Sequence, residues 1–151
     1  MEINLFTVKV VLLFFWTAWF FITFLTNLFG GLKALGVLSQ NWKFASDNFR
    51  AVAQAASIYR STRWLTVFLF CGVLLWQLFA LTLFGRALVF SSKLGVIELT
   101  SVNGAFAAGI AFWAALMIAD EVFLRYENQS WHALLFIAQL VTWMSLYVLP
   151  F

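Results

Sequence analysis

The segment Asp120-Glu121-Val122-Phe123-Leu124-Arg125-Tyr126-Glu127-Asn128-Gln129-Ser130-Trp131-His132 gathers three of the chain's six acids and its single histidine. Carboxylates beside an imidazole can relay protons or hold a metal. Proton handling would fall to Asp120, Glu121 and His132, because ionisable groups at membrane depth often serve relays. A metal would draw on Glu121, Glu127 and His132, but their spacing fits neither the Glu-x-x-His of di-iron bundles nor His-Glu-x-x-His. A haem held by two histidines is excluded, since His132 stands alone. The structural reading weighs more. Glu121 precedes Arg125 by one helical turn, in the acid-first order that pairs on a helix face. Asp120 and Glu127 are expected to meet Arg50, Arg60 and Arg63 in an electrostatic clasp. The chain contains no P-loop, no Gly-x-Ser-x-Gly elbow and no Rossmann glycine pattern.

Tryptophan is the second chemical signal. Trp16, Trp76, Trp113 and Trp143 each fall near the middle of a different apolar run, too deep for boundary anchoring. A buried indole N–H needs an acceptor, and Thr17, Gln77, Gln139 and Thr142 are the nearest in sequence. One function would be a cleft for a quinone, a lipid acyl chain or another flat apolar ligand. Aromatic packing within the bundle or against a partner subunit is the commoner use of such residues.

The elements that must position these groups follow from composition. Of 151 residues, 64% are hydrophobic and 10% charged, which excludes an ordinary globular surface. Charge-free runs at Val10 to Phe29, Trp64 to Gly85, Val102 to Ala119 and Trp131 to Phe151 are each long enough to cross roughly 30 Å of hydrocarbon. The expected fold is therefore an all-α membrane protein with four transmembrane helices, about 8–29, 64–85, 102–123 and 131–150, in a single domain spanning residues 1–151. The first run is too long for a signal peptide and lacks a small-x-small cleavage site, so it is expected to remain as a helix. Cys71 is the only cysteine, so no internal disulfide or cysteine metal site is available. The net charge of +3 is accounted for by residues facing lipid headgroups, without nucleic acid.

Between the first two spans, Phe49, Val52, Ala53, Ala56 and Tyr59 recur at helical spacing, with Arg50, Gln54, Ser57 and Arg60 opposite. This predicts an interfacial amphipathic helix at about 46–60, capped by Ser46 or Asp47 and flanked by Trp42, Phe44 and Trp64. Lys33, Lys43, Arg50, Arg60, Arg63 and Arg125 fall on one side of the bundle, and Lys9, Arg86 and Lys93 on the other. The positive-inside rule then puts both termini on the periplasmic side, with Lys9 and Arg86 free to snorkel. Gly104, Ala108, Ala111 and Ala115 form a small-residue stripe, and Ala105 with Gly109 a second pair, which predicts the third span at the bundle's centre. Glu127 to Ser130 reads as a short connector that makes the last two spans an antiparallel hairpin. Asn128-Gln129-Ser130 is a formal glycosylation acceptor, disregarded on the cytoplasmic side. Pro150, the only proline, falls too late to kink a span.

The order of features resembles the DUF2165 family of small predicted bacterial integral membrane proteins. The likeness rests on Asn27, Asn48-Phe49, Val52, Trp64, Gly85-Arg86, Phe112-Trp113, Met117, Glu121-Val122-Phe123 and Ser130-Trp131. Two departures stand out: Val122 replaces a tryptophan, and Gln77 replaces an acid in the second span, which puts any function tied to that acid in doubt. The resemblance implies a four-helix fold in a bacterial inner membrane and no particular activity. Three functions compete: a non-catalytic accessory subunit of a larger membrane complex, respiratory or electron-transfer in kind; a small carrier of quinone or lipid; and a proton-linked transporter or membrane enzyme using Asp120, Glu121 and His132. The absence of a catalytic motif favours the first, with membrane lipids and other membrane subunits as partners and no required cofactor.

Overall fold

The protein is described by a computed structural model over residues 4–60 and 62–149. Five helices follow one another: α1 (Leu5–Ala34), α2 (Asn48–Ser57), α3 (Arg63–Leu94), α4 (Leu99–Val122) and α5 (Tyr126–Val148). No strand occurs among the described residues. All but α2 are long and apolar enough to cross a membrane. Pro150 lies outside the described residues.

The helices overrun the apolar runs. α1 continues through Gly30 and Gly31 to Ala34, and α3 passes Gly85 and Arg86 to end at Leu94. The glycines at 30 and 31 serve packing: a Cβ on Gly30 would lie 2.3 Å from the Ser46 carbonyl oxygen, and one on Gly31 2.7 Å from the Phe70 ring. Arg86 stays on the helix with its guanidinium 5.3 Å from the Phe90 ring centroid. The true stop is Gly95, whose φ of 69° is the left-handed conformation that ends a helix. α4 then starts at the Glu98 cap, whose carboxylate accepts from Thr100 N and Ser101 N at 3.1 and 2.7 Å. The Ser101 side chain and N–H, and then Thr100, hold that carboxyl below its usual range. Ser91 Oγ accepts from Glu98 N at 3.0 Å, closing the turn between α3 and α4.

α3 packs against α1, α2 and α4, while α5 packs mainly against α4. The centre is aromatic. Phe20 of α1 stacks on Phe84 of α3 at 5.5 Å and on Trp113 of α4 at 6.0 Å, and Phe106 meets Phe84 edge-on at 5.0 Å. The third span thus shares its central place with α3, and of the two small-residue faces expected the second makes the close approach. Gly104 is exposed with open space where a Cβ would be, and Ala111 is exposed too. The close approach is made by the other pair, with Ala105 fully buried and a Cβ on Gly109 meeting Gln139 at 2.5 Å. Small residues occur on two faces of α4, and only their neighbours decide which one is used.

Lys9 also departs from expectation. It does not snorkel: it is 1% exposed, and its Nζ donates to the Leu149 carbonyl at 2.8 Å. A buried ammonium needs such a partner, and the bond fastens the start of α1 to the end of α5.

α4 ends in a reversal. Arg125 N donates to Asp120 O at 2.7 Å and Leu124 N to Glu121 O at 3.3 Å, the paired bonds of a Schellman motif. Leu124 occupies its left-handed position with φ 53°. The connector is therefore 123–125, and Glu127 to Ser130 already belong to α5. Because Leu124 is 53% exposed and a side chain is strained at this φ, Leu124→Gly is expected to raise stability by about 1 kcal/mol. Reversible thermal or denaturant unfolding in detergent would show it; a loss of stability would mean that the Leu124 side chain contributes more than its backbone strain removes.

Candidate functional site

Two polar assemblies lie inside the apolar bundle. The first centres on Asn27, which is 3% exposed on α1. Its Nδ2 donates to Gln77 Oε1 of α3 at 3.0 Å, and its Oδ1 accepts from Ser46 Oγ at 2.6 Å and Asn48 Nδ2 at 2.7 Å. The Ser46 backbone N–H adds a bond to Thr26 O at 2.9 Å. One amide thus joins α1, α3, the segment before α2 and the first residue of α2. Gly30, one turn further on, lets that segment come against the helix. Asp47 stands at the cap position of α2 without a side-chain cap bond, and the capping contact comes from Ser46, whose Oγ accepts from Asn48 N at 3.4 Å while donating to Asn27. The amphipathic helix is shorter than predicted, with Ala56 buried, Phe49 edge-on to Phe70 at 5.2 Å, and Arg50, Gln54, Ser57 and Arg60 exposed. Tyr59 is 57% exposed rather than inward, but its hydroxyl reaches α4.

The second assembly joins α4 and α5. Asp120 is 6% exposed, and its Oδ2 lies 2.5 Å from His132 Nδ1. The imidazole stacks on Trp113 at 6.3 Å between centroids. Of the expected polar cluster, the structure pairs Asp120 with His132 and, separately, Arg125 with Glu127. Glu121 is exposed on the last turn of α4. It does not pair with Arg125, because the Schellman reversal takes Arg125 off the helix on which the spacing argument relied. Arg125 instead approaches Glu127, with Nε 2.5 Å from Oε1. The clasp with Arg50, Arg60 and Arg63 is likewise absent among the described residues, where Arg50 faces Asp47 at 3.9 Å. What ties α2 to this hairpin is Tyr59, whose hydroxyl donates to the Val122 carbonyl at 2.5 Å and whose ring meets Phe123. Among the described residues, no group of three or more His, Cys, Asp or Glu could hold a metal, so Glu121, Glu127 and His132 do not converge.

The four deep tryptophans do separate work. Trp16 and Trp113 are buried core residues, 2% and 5% exposed, and neither indole N–H has an acceptor among the described residues. Trp76, at the surface, donates to the Ala108 carbonyl at 3.1 Å, and Trp143 donates to Asn103 Oδ1 at 3.0 Å. Tyr147 donates to the same Asn103 oxygen. None uses its expected neighbour: Thr17 and Thr142 bond back to Leu13 O and Ala138 O, and Gln77 accepts from Asn27. Gln139, fully buried against Gly109, makes no side-chain hydrogen bond among the described residues.

No family model, curated protein or solved structure matches this chain.

The geometry separates the acids by consequence. His132→Ala leaves Asp120 buried without its partner and is expected to lower stability by about 2–3 kcal/mol, whereas Glu121→Gln should stay within about 0.5 kcal/mol. Exchanging Glu121 and Arg125 should rescue nothing. Thermal unfolding in detergent checks all three; equal losses for His132→Ala and Glu121→Gln would contradict the pairing.

Proposed function

We propose that this chain is an integral membrane protein acting as a non-catalytic, stabilising subunit of a larger membrane complex, of the respiratory or electron-transfer kind. The observation that carries this reading is the occupation of its reactive side chains. Asp120 is held by His132, Asn27 by Gln77, Ser46 and Asn48, and Asn103 by Trp143 and Tyr147, each joining two or more elements of the chain. Groups committed in this way fasten helices, and function has to be argued from sites. The outer face of α5 supports a subunit role: Trp131, Leu134, Ile137, Val141, Met144 and Val148 are all more than half exposed in a continuous row. That helix packs mainly against α4, so a neighbouring subunit can cover the rest.

The membrane setting is supported by four apolar helices of sufficient length and by the exposed Phe14, Phe68, Leu75 and Val141, which water would penalise. The basic residues of the α1–α3 connection, with Arg125, gather at the end where α1 and α4 exit, which by the positive-inside rule supports a cytoplasmic setting for that end and a periplasmic one for both termini in a bacterial inner membrane. The DUF2165 resemblance belongs to the same proposal; Asn27 and Asn48, two of the residues that carry it, meet in one network with Gln77, where the chain departs from the family's pattern.

A second reading is proton handling at Asp120 and His132, favoured by their 2.5 Å separation and by the burial of Asp120. Extraction in mild detergent followed by native electrophoresis and quantitative mass spectrometry separates the two. A subunit should migrate stoichiometrically with a larger assembly. Combined Trp131→Ala and Val141→Ala substitution should release it without changing its own melting temperature. Migration of the wild-type chain alone, or a His132→Ala protein that stays assembled while the complex loses turnover, would replace this reading with the second.

A further inference from the structure

Apart from the Asn27 and Asp120 assemblies, a charged cleft forms where the end of α1 meets α2. Gly30 and Lys33 of α1, Gln40 and Ser46 of the connection, and Asp47 and Arg50 at the start of α2 line about 250 Å³ of open space. Two cations and one carboxylate face it, so the cleft is net positive. Both cations keep donors to spare. Lys33 Nζ donates to the Trp42 carbonyl at 3.2 Å, an uncharged acceptor, and an ammonium has three donors. Arg50 stands 3.9 Å from Asp47, beyond hydrogen-bond reach, with both side chains largely exposed, so its guanidinium fork remains available. The uncharged polar groups are already engaged: Gln40 Nε2 donates to Lys33 O at 3.0 Å and Ser46 Oγ to Asn27.

An occupant must therefore be an anion, and it must reach cations on two different helices at once. A phosphate group does this, because its oxygens diverge and both ammonium and guanidinium groups bind them well. Phe29 of α1 meets Trp42 and Phe44 of the connection edge-on, the kind of aromatic belt found at headgroup depth. We propose that this cleft binds a phosphate group through Lys33 and Arg50, presented by an anionic lipid headgroup or free in solution. Bound there, the phosphate draws α2 onto α1 directly above the Asn27 network, since Gly30 and Ser46 belong to both.

The purified full chain can be tested in detergent micelles doped with phosphatidylglycerol or phosphatidylcholine, and separately with inorganic phosphate alone. Native mass spectrometry and melting temperature are the readouts. Wild type should retain phosphatidylglycerol in preference to phosphatidylcholine, and Lys33→Gln and Arg50→Gln, which keep polar donors and so the fold, should each weaken retention about fivefold. Lys93→Gln, at the other end of the bundle, should have no effect, and Lys33→Arg should retain binding. A phosphate-induced rise in melting temperature that needs Lys33 and Arg50 identifies free phosphate as a source; a response to phosphatidylglycerol alone identifies the lipid. Equal retention of the two lipids without any phosphate response, or a Lys33→Gln/Arg50→Gln double variant that binds like wild type, would overturn the proposal.

Discussion

An amide side chain placed among apolar helices must find hydrogen-bond partners, and the way Asn27 does so governs one half of this molecule. With both ends of its amide engaged, Asn27 fixes the register of α1 against α3 through Gln77 and returns the segment after α1 through Ser46 and Asn48. Helix packing between apolar surfaces alone is weakly directional, because one leucine resembles another; polar contacts of this kind select one arrangement. The glycines at 30 and 31 are part of the same device, since a side chain at either would hold Ser46 or Phe70 away. α2 is consequently an integral part of the bundle, held at its start by Asn48 and just beyond its end by Tyr59.

The other half is fastened by different groups, and there Gln139 stays without a side-chain hydrogen bond among the described residues. α4 and α5 are joined at three depths: Asp120 with His132 near the reversal, Gln139 against Gly109 in the middle, and Asn103 with Trp143 and Tyr147 toward the far end. The Schellman turn sets this register by placing Tyr126 at the start of α5. Between the levels lie bulky rings, Trp113 above all, which bind the hairpin to Phe20 of α1 and through it to α3. The hairpin is thereby part of the core on one face, while the outer face of α5 presents a row of exposed apolar side chains from Trp131 to Val148.

The four long helices and the amphipathic α2 are legible in the sequence, because hydropathy over many residues and helical periodicity both average out local detail. What fails are inferences from a single spacing. Glu121 and Arg125 suit a helix pair only if the helix continues, and a left-handed Leu124, a residue type that gives no signal for that conformation, ends it. Gly85 and Arg86 look like an exit, yet an arginine with a nearby ring remains on a helix until Gly95. The small-residue stripe at Gly104 is as good a pattern as Ala105 with Gly109, and only the position of Gln139 on another helix selects between them. The indole acceptors were expected among neighbours in sequence, but Ala108 and Asn103 are distant in the chain. Least legible of all is the Asn27 network. Its members are uncharged, carry no catalytic motif and come from residues 27, 46, 48 and 77, spread along the chain.

Hydrogen–deuterium exchange of Asn27→Ala against wild type, in the same detergent, tests the governing role of this residue most directly. If Asn27 organises its half of the bundle, the amides of α2 and the Ser46 N–H lose protection while α4 and α5 keep theirs. Unchanged protection in α2, or a uniform loss across all five helices, would contradict that role.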